Sequence, residues 1–174
     1  MAKWTIDSAH TETGFSVKHM GLSNVKGSFK TTSGTVTTDE SGKITAVAVS
    51  IDVASIETRI KDRDAHLKSA DFFDAEKYPD IKFESTKITS ADGEDYTIEG
   101  NLTIKETTKP VTFEAEIGAP IDDPYGLKRN AASLNFAIDR RDYGLVWSQS
   151  LANGNLVVGN KIKISVDAEF TLNA

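Results

Sequence analysis

From Lys161 to Leu172 the chain alternates without a break: Ile162, Ile164, Val166, Ala168, Phe170 and Leu172 interleave with Lys161, Lys163, Ser165, Asp167, Glu169 and Thr171. A period of two puts one set on each face of a pleated strand, so this segment is a strand with one buried face. The same period recurs at Phe15-Val17-His19, Val47-Val49-Ile51-Val53, Tyr96-Ile98-Gly100-Leu102-Ile104, Val111-Phe113-Ala115-Ile117 and Leu134-Phe136-Ile138. Turn chemistry separates the runs: Asp39-Glu40-Ser41-Gly42, Ala91-Asp92-Gly93-Glu94, and Lys105 to Lys109 ahead of Pro110. The pattern predicts eight or nine strands, near residues 3–8, 13–20, 25–37, 43–54, 80–90, 95–104, 110–119, 131–139 and 160–172. Short connections make neighbours antiparallel, and an all-β antiparallel barrel accounts for the whole set best. Gly100 and Gly144, in or beside strands, fit bends or bulges that shape such a barrel.

One stretch breaks the alternation. From about Thr58 to Asp74 the apolar spacing is mixed and no Gly or Pro intervenes, which predicts one to three helical turns. It overlaps RDAHLKSADFFDAEKYPDIKF, Arg63 to Phe83, a charged, aromatic-bearing segment set between long β-type runs. Ordering it costs entropy, and Phe72 and Phe73 must bury against something apolar; a barrel mouth is the natural receiver, so the segment reads as a lid. Ala119 to Asn130, with Pro120, Pro124 and Gly126, and the Gly-rich Leu151 to Lys161 read as loops.

The length of 174 residues fits a single domain, 1–174, large enough to bury about 70% of its unfolded surface. Twenty Lys and Arg against 26 Asp and Glu leave a net charge of −6, which argues against a nucleic acid partner. The absence of cysteine excludes disulfides, thiol nucleophiles and thiolate metal sites. MAKWTIDSAH enters patterned sequence without a basic, apolar and small-residue leader, so a cytoplasmic location is expected. The apolar runs fall far short of the roughly 20 residues of a membrane-spanning helix, so no integral membrane segment is expected.

Several motifs then converge. WTIDSAHT carries Trp4, Ile6, Asp7, His10 and Thr11; FSVKHM follows at Phe15 to Met20 and VKGSF at Val25 to Phe29. After the lid segment come NLTIK at Asn101 to Lys105, TKPVTF, and RRDYGLVW at Arg140 to Trp147. Together these resemble the YceI-like family of polyisoprenoid-binding, lipocalin-like barrel proteins over nearly the whole chain. The resemblance implies an eight-stranded antiparallel barrel with a helix near its mouth, holding the tail of an isoprenoid lipid or quinone in an internal channel. It implies no catalytic residues and no cofactor beyond that ligand, and it makes a homodimer possible. Many family members are periplasmic, unlike the expectation for this N-terminus; Glu106 stands where the family usually has Gly, altering a hairpin tip more than a pocket; and the Gly-x-Trp of true lipocalins is absent at Ala2-Lys3-Trp4.

Candidate ligand-lining residues are the larger apolar members of the strands, Phe15, Val17, Phe29, Phe83, Phe113, Leu134, Phe136 and Ile138, with Leu67, Phe72 and Phe73 from the lid. The same residues also suit a solid core, because periodicity does not separate a packed interior from a tunnel. His19 or His66 is a candidate polar contact for a head group. No metal is expected: His10, His19 and His66, with Asp7, Asp64 and Asp71, match no ligand spacing and read as hydrogen-bonded structural histidines. Arg59, Arg63, Arg140 and Arg141 suit a phosphate clamp, yet each has an Asp nearby and ion pairs pinning lid and strand ends are the plainer expectation. There is no GxSxG elbow and no sequence-level triad. The chain therefore reads as a non-enzymatic carrier, store or buffer of a long-chain amphiphile. The alternatives are an enzyme using His19 or His66 with a neighbouring Asp on a small hydrophobic substrate, and an interaction module with a filled core.

Overall fold

A computed structural model describes residues 1–173. In chain order the strands are β1 (Ala2–His19), β2 (Ser23–Phe29), β3 (Thr32–Thr38), β4 (Ile44–Asp52), β5 (Ile56–Glu57), β6 (Asp80–Ser90), β7 (Asp95–Ile104), β8 (Thr107–Ile117), β9 (Ile121–Asp122), β10 (Lys128–Asp139) and β11 (Lys161–Leu172), with one helix, α1 (Lys61–Lys68), between β5 and β6. Strands β1, β3, β4, β6, β7, β8, β10 and β11 form a closed antiparallel barrel, sealed where β11 returns to pair with β1 from Trp4↔Leu172 to Ser16↔Lys163. Alternation thus does what it predicts: Ile162, Ile164, Val166, Ala168 and Phe170 face the interior of one closed sheet.

Two strand boundaries differ from the expectation. The runs near 3–8 and 13–20 are one bent strand, whose register against β11 slips between Asp7 and Glu12. The cause is local: the Asp7 carboxylate accepts from the Ala9 N–H at 3.1 Å and the Asp7 carbonyl accepts from the Thr11 hydroxyl at 2.8 Å, closing a bulge inside the strand. Before the bulge β1 pairs with β3; after it, from Thr13 to His19, it pairs with β2. The run expected at 25–37 is correspondingly divided into β2 and β3. In the 119–130 loop, β9 adds a two-residue pairing with β10.

The two ends of the barrel are built differently. Where β1 begins and β11 ends, Trp4, Ile44, Tyr96, Ile117 and Phe170 are all buried, with Trp4 edge-on to Phe170 at 5.7 Å. Trp4 Nε1 donates to Thr38 at 3.2 Å, so this plug satisfies its own polar atom. The other end carries α1 and the Ser69 to Pro79 segment. The helix is shorter than the stretch the sequence marks out, and it has no buried residue. It is anchored by Asp64, whose carboxylate accepts from the Thr58 N–H at 2.8 Å, and by Leu67, which packs against the core. Gly100 is required where it stands: a Cβ there would lie 2.4 Å from Phe83 Cζ and 2.5 Å from the Glu84 carbonyl, beside the β6 bulge between Ser85 and Lys87. Gly144, at φ +77°, ends the 3-10 turn that follows β10.

Candidate functional site: an apolar chamber inside the barrel

The interior is hollow. A cavity of about 240 Å³ runs within the barrel, many times the roughly 10–15 Å³ that one water molecule needs. Its wall carries the inward members of the strands, among them Phe15, Val17, Phe29, Phe83, Phe113, Leu134, Phe136 and Ile138, and its cover carries Leu67, Phe72 and Phe73. The rings form two groups: Phe83 lies 5.3 Å from Phe113, which stacks on Phe136 at 4.9 Å, and Phe29 lies 5.7 Å from Phe15 and 5.9 Å from Phe73. The inward face of β11, legible in the sequence but not picked out there as lining, contributes Ile162, Ile164, Val166, Ala168 and Phe170.

Four polar side chains border this chamber: Thr11, Thr13, Thr32 and Arg140. The Thr13 and Thr32 hydroxyls satisfy each other at 2.9 Å, and Thr11 is held by the Asp7 carbonyl. Among the described residues Arg140 is the one ionisable group in the wall, and it is 2% exposed.

Of the candidates read from the sequence, His19 and His66 do not line the chamber. His19 lies at the end of β1, bridged to Val158. His66 points across the cover: its Nε2 is 2.9 Å from Asp71, and its ring sits edge-on to Phe72 at 5.0 Å and to Trp147 at 5.1 Å. Phe72 and Trp147 approach to 5.5 Å, so the lid is seated on the RRDYGLVW segment through three rings. Glu106 also reaches the cover, since the Tyr78 hydroxyl donates to it at 3.3 Å. The hairpin tip between β7 and β8 is therefore in contact with the segment that covers the chamber.

The arginines separate into different roles. Arg141 makes the expected ion pair with Asp139 at 2.6 Å, and its hydrogen bond holds that carboxyl at about 2. Arg63 donates from Nε to the Thr58 hydroxyl at 2.8 Å rather than to a carboxylate. Arg140 departs most from the ion-pair expectation: Nε donates to the Gly159 carbonyl at 2.9 Å, Nη1 to those of Leu145 and Trp147 at 2.8 and 2.7 Å, and Nη2 to Val158 at 3.3 Å. Burial pushes its pKa down.

An ionic knot unmarked in the sequence reading lies on the bulge of β1. Arg129 donates to Asp7 at 2.8 Å, to Asp123 at 2.8 Å and to Glu169 at 3.3 Å, while His10 Nδ1 sits 2.9 Å from Asp7. Arg129 and then His10 hold the Asp7 carboxyl down at about 2. Asp7, His10 and Glu169 lie close enough to share a cation, and the Arg129 guanidinium is the positive charge bonded between the two carboxylates. Residues 122 apart in sequence meet here, brought together by the pairing of both β1 and β10 with β11.

Fold and chamber define a class: a closed eight-stranded antiparallel barrel with a hydrocarbon-lined interior under a short helical cover. The chain belongs to the YceI-like domain family, which it matches over residues 4–170. It is 39% identical to Protein YceI of Escherichia coli O17:K52:H18 over 80% of this chain and 73% of that protein. It is 33% identical to UPF0312 protein SA2479 of Staphylococcus aureus over 99% of both. Among solved structures, the Campylobacter jejuni YCEI protein superposes with a TM-score of 0.76 at 33% identity over 90% of each chain. BcnA of Burkholderia cenocepacia has the same fold, with a TM-score of 0.80 at 23% identity over 94% of this chain and 98% of that one. So has a polyisoprenoid binding domain from Saccharophagus degradans, with a TM-score of 0.75 at 15% identity over 99% and 100%.

Proposed function

We propose that the barrel binds the chain of a polyisoprenoid, an isoprenoid quinone or a similar long-chain amphiphile in its chamber and carries or stores it without converting it. The observation that carries this reading is the cavity of about 240 Å³ with its almost wholly hydrocarbon wall. Strands β10 and β11 have 12 residues each, so at roughly 3.3 Å per residue and a tilt near 40° the barrel is about 30 Å tall. Each methylene moved from water into such a wall is worth about 0.8 kcal/mol, so even some ten buried carbons gain about 8 kcal/mol, the equivalent of roughly micromolar affinity. Capture therefore needs no polar contact. The polyisoprenoid-binding domain of Saccharophagus degradans, with the same fold, supports the choice of ligand class.

An enzyme would need groups able to move a proton or attack a substrate. Within the wall the described residues offer three threonines and one arginine, with no carboxylate and no imidazole. The test is extraction of the purified protein with organic solvent and mass spectrometry of the extract. One long-chain lipid per barrel is the expected result; an extract without lipid, together with failure of the protein to take up a fluorescent long-chain alcohol, overturns the reading.

A further inference from the structure

One face of the barrel's outer wall carries a charge opposite to that of the chain as a whole. In β1 and β11 the residues that line the chamber, Phe15, Val17, Ile162 and Ile164, alternate with Ser16, Lys18, Lys161 and Lys163, so the latter point outward. Ser16 stands between Lys26 of β2 and Lys163 of β11 in the pairing of the three strands, and Lys18 and Lys161 lie one outward step nearer the covered end. Four exposed lysines thus share one face of a chain whose net charge is −6, and among the described residues none of the four forms an ion pair. Asp139, the cross-strand neighbour of Lys161, is engaged by Arg141, and the paired Glu12 and Asp167 mark the edge of the face toward the plug. Between Lys26, Lys161 and Lys163 the wall is recessed by about 630 Å³ over small residues such as Gly14, Ser16, Ala137 and Ser165.

Just past Lys18 the turn between β1 and β2 carries Leu22, which is 80% exposed. Met20 and Gly21 are both left-handed, at φ +56° and +72°, and the Leu22 N–H closes the turn on the His19 carbonyl at 3.0 Å. The Met20 N–H donates to the Val157 carbonyl at 3.0 Å and its carbonyl accepts from Asn155 Nδ2 at 3.1 Å, so the turn that holds Leu22 out in solvent is itself tied down. Val146, 63% exposed, lies at the same end of the barrel, next to the Trp147 against which Phe72 is seated.

Resting on the proposed carriage of a long-chain amphiphile, which partitions into bilayers, we infer that this face docks the barrel on an anionic membrane, with Lys18, Lys26, Lys161 and Lys163 against the lipid phosphates and Leu22 inserted at the acyl boundary. Unpaired lysines within a Debye length of an anionic leaflet are drawn to it, and their mutual repulsion is neutralised there. Their stems lie along apolar surface while the ammonium groups stay among the head groups. An acidic protein would satisfy the lysines and leave Leu22 in water, and a neutral bilayer would do the reverse; an anionic bilayer takes both. Docked in this way, the covered end meets the membrane, and an amphiphile passes between bilayer and chamber without crossing water.

The test is co-sedimentation of the intact protein with vesicles of phosphatidylcholine, alone or mixed with phosphatidylglycerol. Binding to the mixed vesicles at low ionic strength is expected to exceed binding to phosphatidylcholine at least about tenfold, and to be lost near 1 M salt, where the Debye length is about 3 Å. At roughly fivefold per lysine, K26Q/K163Q lowers it about 25-fold, and L22S lowers it at least about fivefold, while both variants take up a fluorescent long-chain alcohol in solution as the wild type does. Because the chain has no cysteine, a polarity-sensitive dye on L22C reports the contact directly. Its emission shifts to the blue on the mixed vesicles, and the same dye on E40C, in the turn between β3 and β4 at the plugged end, does not respond. Absent or equal binding to the two kinds of vesicle, binding that survives in K26Q/K163Q, or a silent dye at L22C overturns the inference. So does tighter binding of poly-glutamate than of the mixed vesicles, which would make the face a site for an acidic protein. Failure to take up the alcohol, with vesicle binding as expected, overturns the carrier reading and leaves the docking face standing.

Discussion

A hollow barrel and a filled one respond oppositely to added bulk. Ala168 on β11 faces the cavity, paired across the sheet with Ala132 of β10, which also lines it. Ala168→Leu adds three carbons to the wall. Placed in empty apolar space they contribute up to about 2.4 kcal/mol at roughly 0.8 kcal/mol per carbon, less about 0.5–1 kcal/mol for the restricted leucine side chain. For a domain of this size, where about 1 kcal/mol moves the midpoint by about 2–4 °C, the ligand-free variant should melt some 3–8 °C higher than the wild type. The same carbons occupy space a ligand tail would use, so affinity for a fluorescent long-chain alcohol should fall by about tenfold or more. Calorimetry and fluorescence titration on lipid-free protein read the two effects. A packed interior gives the reverse, because overpacking costs about 1–3 kcal/mol. A lowered melting temperature with unchanged affinity would refute the hollow chamber.

Further outcomes follow from other parts of the structure. Truncating Phe72 and Phe73 together to Ala should speed ligand dissociation, measured by stopped-flow transfer to vesicles, more than it lowers stability, because one side of the pair already faces the cavity; unchanged dissociation would deny the cover a gating role. Gly100→Ala should destabilise by about 1–3 kcal/mol in urea, since its Cβ meets Phe83 and the Glu84 carbonyl; a neutral result would show that Phe83 yields freely. Asp7 titrates at about 2, below its ordinary 3.8, so its pairing with Arg129 and His10 stabilises the fold fully above about pH 5, and this contribution is lost as the pH falls through about 2. R129M should therefore flatten the acid limb of the stability profile, and an acid limb as steep as that of the wild type would mean that the knot on β1 contributes nothing.

Strand faces were legible in the sequence because a period of two survives every change of partner; Tyr96 to Ile104 and Ile162 to Phe170 could face only one way. The lid was legible too, since two adjacent phenylalanines in a charged, non-alternating segment need an apolar seat, and Phe72 found one at 6% exposure. The bend of β1 was not, because it is closed by the Ala9 N–H on the Asp7 carboxylate and by the Thr11 hydroxyl on the Asp7 carbonyl, a choice no hydrophobic pattern records. Whether the interior is filled depends on small residues such as Ala132 and Ala168 lining it among large ones, a matter of volume rather than period. For Arg140, sequence neighbours suggested a carboxylate partner. Its actual partners come from the loops after Gly144 and before Lys161, whose folding over the strand end determines what it meets.

The most direct test of the hollow barrel is crystallography of the protein loaded with a long-chain alcohol carrying bromine at its tail. An anomalous peak is expected inside the barrel, near Phe170 at the plugged end, with continuous density for the chain back toward Phe72. A peak confined to the outer surface, with side chains from opposite strands meeting along the axis, would contradict it.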